Sequence, residues 1–196
     1  WKREGFQRNQ IMKGIEDADH NDIIMISDVD EIPNLKDLNL SNIGNKVYAF
    51  SLFHSMYKLN LMRQVMWIGT KLCKKKILKS PQWLRSLKVH KKYSFLRIDK
   101  FFSKTYYSKF KIIENAGWHF GWLMRSDEIV EKVKSYSHTE HNIPLNNDDN
   151  YIKNCISNQI NFLDKNDILK VDYDTEKLPN YVKNNLEKFE EWIIKK

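Results

Sequence analysis

The stretch Asn21-Asp22-Ile23-Ile24-Met25-Ile26-Ser27-Asp28-Val29-Asp30-Glu31-Ile32-Pro33 decides how this chain is read. Four apolar residues between polar flanks have the length of a buried strand, and open α/β sheets bind ligands just beyond the carboxyl ends of their strands. Three carboxylates follow at that end, and a proline stops the run. Asp28 and Asp30 stand two apart, so in extended chain both side chains leave on one face. Hard oxygen donors of this kind suit Mg²⁺ or Mn²⁺, ions that keep waters and take their remaining ligands from substrate phosphates. The same residues also read as a solvated acidic turn ahead of a helix that Pro33 would start.

Outward from this turn, Phe6, Met12 and Ile15 give a helical pattern over 5–18 that feeds a strand over 22–27. A short helix or turn follows Pro33 to Leu40. Residues 46–53 and 64–70 are rich in strand formers and read as neighbouring strands. Residues 80–108 read as irregular and aromatic, with Trp83, Tyr93, Phe95, Phe101, Phe102, Tyr106 and Tyr107. Strands are expected over 111–114 and 117–124. On the second, Trp118 and Trp122 would share a face, to stack on a ring of a ligand or to fill the core. Ser126 to Val133 reads as a helix with an N-cap serine and acids in its first turn. Two more amphipathic helical segments cover 147–162 and 179–194. No repeat or low-complexity linker interrupts the pattern, so a single α/β domain over 1–196 is expected.

Composition bounds the function. A chain of 196 residues with 41% hydrophobic and 13% aromatic residues is globular rather than disordered. Thirty-three Lys and Arg against 25 Asp and Glu give a net charge of +8, which favours an anionic ligand without naming it. No metal-finger or aromatic RNA-binding signature is present, so nucleic acid is not expected as the partner. The densest basic stretch, from Lys71 through Lys74, Lys75, Lys76, Lys79, Arg85 and Lys88 to Lys91 and Lys92, reads as a solvated face. Cys73 and Cys155 are too few and too far apart for a disulfide framework or a zinc site, and read as small core residues. No apolar run is long enough to span a bilayer.

Three islands hold most of the unusual polar and aromatic residues: Ser27 to Pro33, Asn115 to Trp122, and Lys134 to Asn142. With their Asp-x-Asp-Glu-Ile-Pro turn, Gly-Trp-His-Phe strand and Lys-x-x-Ser-x-x-His-x-Glu helix end in that order, the chain resembles glycosyltransferase family 17. That family includes the bisecting β-1,4-N-acetylglucosaminyltransferases of N-glycans. Leu178 to Val182 resembles its closing segment, and Trp1 to Asn9 the helix before its acidic turn.

The resemblance implies a GT-A-like mixed sheet flanked by helices and an inverting transfer from a nucleotide sugar to a glycan hydroxyl. The implied donor is N-acetylglucosamine on uridine diphosphate, with Mn²⁺ or Mg²⁺ on Asp28 and Asp30 and with Glu31 beside them. The chemistry agrees: the departing diphosphate gathers negative charge that a divalent ion stabilises, and a carboxylate must take the acceptor's proton. For that base the first choice is Glu140, with Asp127 as its nearest competitor and Glu128 and Asp149 also open. His119 is placed on the metal or the diphosphate, or in the core, and His138 has the same two options.

Only 27 residues precede Asp28, so the first nucleotide-binding strands of a GT-A fold are expected to be lacking and the chain reads as N-terminally incomplete. Two other readings stay open. One is a phosphohydrolase or nuclease built on Asp28, Asp30 and Glu31. The other is a non-catalytic module binding glycan or polyanion through aromatics and lysines.

Overall fold

The computed structural model describes residues 2–36, 38–88, 110–136 and 138–196. Trp1, Ser137, the lysines at 91 and 92 and the aromatics from Tyr93 to Tyr107 therefore lie outside the described residues. In chain order the elements are α1 (Lys2–Asn9), β1 (Ile23–Ile26), β2 (Glu31–Pro33), β3 (Val47–Met56), β4 (Leu61–Met62), β5 (Trp67–Lys74) and α2 (Pro81–Ser86). They continue with β6 (Phe110–Ile113), β7 (Gly117–Gly121), α3 (Ser126–Ser135), α4 (Asp149–Ser157), β8 (Ile160–Asn161), β9 (Asp164–Ile168), β10 (Lys170–Val171) and α5 (Asn180–Lys183). The class is mixed α/β. The chain packs as two compact units, Trp1–Leu52 with Ile68–Ala116, and Phe53–Trp67 with Gly117–Lys196.

In the first unit β1 runs antiparallel to β5, with Ile24 opposite Cys73, and the first half of β3 runs parallel to β6. The sheet is mixed, as expected. Ile24, Ile26, Val47, Cys73, Leu84 and Leu87 form its core, where each buried aliphatic side chain contributes ~1.5–3 kcal/mol. Helix α2 lies inside the stretch that reads as irregular. Ser80 accepts from the Trp83 amide as its N-cap and Pro81 takes the first helical position, a start signal the aromatic composition hides.

In the second unit the far half of β3 pairs parallel with β7 and antiparallel with β4, and β4 pairs with β10. Helices α3 and α4 bury Ile129, Val133, Ile152 and Cys155 against Met56, Tyr57 and Leu61. Ser126 is the first helical residue of α3 and is not its cap: Arg125 holds the cap position, and the Glu128 carboxylate accepts from its amide at 2.7 Å. Strand β7 stops at Gly121 because Trp122 adopts a left-handed backbone, φ 54°. Trp118 and Trp122 therefore do not share a strand face, contrary to the spacing argument. At its start, Gly117 has φ 137°, a conformation that side chains strain. Among the described residues no helix is long and apolar enough to cross a membrane.

Candidate functional site

The acidic turn sits just past the carboxyl end of β1, in the first unit. Residues 27–30 are not extended. The Glu31 amide donates to the Asp28 carbonyl at 3.0 Å, closing a tight turn, so Asp28 and Asp30 are set by that turn and not by the alternation of a strand. Pro33 ends the short strand β2 and starts no helix.

Within the turn the carboxylates have different environments. The Glu31 side chain is 1% exposed. Its Oε2 accepts from the Asp28 amide at 3.2 Å and from the Thr70 hydroxyl at 3.2 Å, and its Oε1 accepts from Arg85 Nη2 at 2.6 Å. Glu31, placed beside the two aspartates by the resemblance, holds the turn in shape. Asp28 is 37% exposed on its side chain, with Arg85 Nη2 at 2.5 Å from Oδ2 and Arg8 Nη2 at 3.5 Å from Oδ1. Arg8 is anchored in turn by Glu4 at 2.7 Å and by Gln82 at 2.6 Å. Asp30 is partly exposed in the same turn.

The cations around the turn come from residues that read as solvated. The Arg85 side chain is only 13% exposed; burial opposes its charge, but Glu31 and Asp28 outweigh that and raise its pKa above the ordinary arginine value. Lys71 is buried, and its ammonium donates to the Arg85 and Leu87 carbonyls at 2.6 and 2.9 Å, capping the C-terminal end of α2. Burial, then the nearby Arg85 charge, pulls Lys71 down to about 8. Lys75 likewise donates to the carbonyls of Glu16 and Ala18. Lys71 and Lys75 are thus backbone clamps and Arg85 is a carboxylate partner, and the solvated-face reading fails for these three. Arg85 and Thr70 are the site residues that sequence reasoning missed. The only trace of them is their place, Thr70 within β5 and Arg85 inside a capped helix, since 54 residues separate Arg85 from Glu31.

The remaining candidates lie in the second unit. His119 is buried on β7 beside His54 of β3, ring centroids 4.4 Å apart, and stacks on Trp67 at 4.5 Å. Trp118 donates its indole N–H to the Lys177 carbonyl at 2.7 Å. Trp122 packs edge-on against Phe162 and Tyr136, with the Lys132 ammonium 4.7 Å from its ring. Asp127 is exposed in the first turn of α3 and lines a groove of about 590 Å³ with Arg125, Asp149 and Lys153. Glu140 is exposed on a 3₁₀ turn, Thr139–His141, and its Oε1 lies 2.8 Å from His138 Nδ1. That bond holds the Glu140 carboxyl below its usual range.

Comparison with protein-family models, with curated proteins and with solved structures returned no match.

Proposed function

We propose that this chain belongs to a metal-dependent inverting glycosyltransferase of GT-A type, and that the turn Asp28–Glu31 holds the donor's divalent ion. One observation carries the reading: an acidic turn at a strand's carboxyl end keeps Asp28 solvent-accessible while Glu31, Thr70 and Arg85 hold its backbone and carboxylate in place. A divalent ion on Asp28 and Asp30 would prepare the turn for a diphosphate, with Arg8 beside Asp28 able to turn toward phosphate oxygens. Asp28 and Asp30 supply the ligands; the ion would stabilise the charge that builds on the leaving diphosphate.

The phosphohydrolase reading is weaker. Among the described residues, the three-fold group of His, Cys, Asp or Glu side chains whose ligand atoms converge lies elsewhere, at His138, Glu140 and His141. A two-metal hydrolase needs more carboxylates on the turn than Asp28 and Asp30 provide. For the acceptor's proton the reading keeps Asp127 and Glu140. The His138 bond lowers the pKa of Glu140, which weakens it as a base.

The test is release of uridine diphosphate from UDP-N-acetylglucosamine in the presence of Mn²⁺ and an N-glycan acceptor. Asp30→Asn should abolish it, and loss of the base, by Glu140→Gln or by Asp127→Asn, should spare donor binding while lowering turnover by ~10²–10⁴. Metal-independent release, or full activity in Asp30→Asn, contradicts the proposal.

A further inference from the structure

The geometry points to a second metal site, of a different chemical class, in which His138, Glu140 and His141 bind a divalent transition-metal ion of the zinc type. One ligand atom from each of the three lies within 4.8 Å of the others. The local fold explains the convergence. His138 precedes and His141 ends a 3₁₀ turn, closed by the His141 amide donating to the His138 carbonyl at 3.0 Å. With three residues per turn, side chains at i and i+3 eclipse, so the two imidazoles stand one above the other, centroids 6.0 Å apart. Glu140 sits between them in sequence and already reaches His138 Nδ1.

The turn is supported from behind. Tyr136 stacks nearly parallel to His141, 18° between planes, and lies 5.4 Å from His138. Buried Asn146 donates to the His141 carbonyl at 2.9 Å. Two imidazoles and one carboxylate make a borderline donor set that suits zinc and leaves a fourth position open to water or to an anionic ligand. Ligand atoms around tetrahedral zinc stand about 3.3 Å apart, so closing on the ion needs shifts of about an ångström in side chains that reach the surface. The hard oxygen donors of Asp28 and Asp30 select a different ion, and this inference does not rest on the donor-site reading.

Titration of the full chain with zinc chloride by calorimetry tests it, with the count of bound zinc after passage over a weak chelator as second readout. The account expects one retained zinc per chain. His138→Ala with His141→Ala should lose it, Glu140→Gln should weaken binding at least tenfold, and Asp28→Asn with Asp30→Asn should leave the count unchanged. Cobalt(II) in place of zinc should give the visible absorption of a four-coordinate ion, absent from the double histidine variant. Circular dichroism separates loss of ligands from loss of fold. No retained zinc in the native chain, retention by a folded double histidine variant, or loss on changing the aspartates would each overturn the site.

Discussion

At the residue scale, the acidic turn depends on an internal ion pair. Breaking a buried pair by removing one partner leaves an uncompensated charge, and the cost is ~3–5 kcal/mol. Arg85→Ala should therefore lower the free energy of urea unfolding by about that much, because Glu31 stays behind almost wholly buried. Asp28→Asn, on a side chain with partial solvent access, should cost less than about 1 kcal/mol while removing metal-dependent binding. A stable Arg85→Ala protein would show that Glu31 is satisfied some other way.

Lys71 gives a pH dependence whose sign follows from its environment. Its folded-state pKa, about 8, lies below the 10.5 of the exposed side chain. Below pH 8 both states hold the proton and the native state bears the whole desolvation penalty. Between 8 and 10.5 the native state has released the proton and the unfolded chain has not, so this contribution to stability rises with pH. Cys73, whose thiol burial lifts to about 12 from 9.0, acts in the opposite sense above pH 9. The clean window is therefore pH 8 to 9, where stability should climb by about 1 kcal/mol in the native chain and stay flat in Lys71→Met. A flat native profile would place the Lys71 ammonium in contact with water.

At the element scale, β7 is bracketed by two glycines for different reasons. Gly117 has φ 137°, so Gly117→Ala is strained whatever the space around it. At Gly121 the obstacle is contact: a Cβ would lie 3.2 Å from His54 Nε2 and 3.5 Å from the Ser55 carbonyl. Gly121→Ala should displace His54 from its neighbours and shift the His54 and His119 imidazole resonances. An unchanged imidazole spectrum would show that the pocket yields elsewhere. At α2, Ser80→Ala should cost about 1 kcal/mol through loss of the cap, read by thermal unfolding.

Strands β1, β3 and β5 and helix α3 were legible because each carries a strong apolar pattern or first-turn acids, signals that act over a few residues. Other features were opaque for physical reasons. Trp122 reads as strand by spacing, yet packing against Phe162 and Tyr136 accompanies a left-handed backbone that no pattern announces. Lys71 and Lys75 read as solvated because charge is cheapest in water; their carbonyl partners exist only in the folded chain. The acidic turn was legible as chemistry and not as geometry: its residues are the expected ones, but a turn and a buried glutamate set their directions.

At the scale of the whole molecule, each compact unit carries one group of candidate metal ligands: the carboxylate turn of the first and the His-Glu-His turn of the second. The two differ in hardness, so manganese and zinc should distinguish them in one protein. Around the first group, buried Lys71 and the mostly buried Arg85 side chain stand beside exposed lysines such as Lys76 and Lys79. Anion binding there should therefore retain part of its strength at salt concentrations that screen exposed charges. The measurement that tests the central claim most directly is calorimetric titration of the full chain with uridine diphosphate, with and without Mn²⁺. The account predicts binding with manganese, none without it, and none in Asp28→Asn or Asp30→Asn. Failure to bind with manganese present, or equal binding by the aspartate variants, would contradict it.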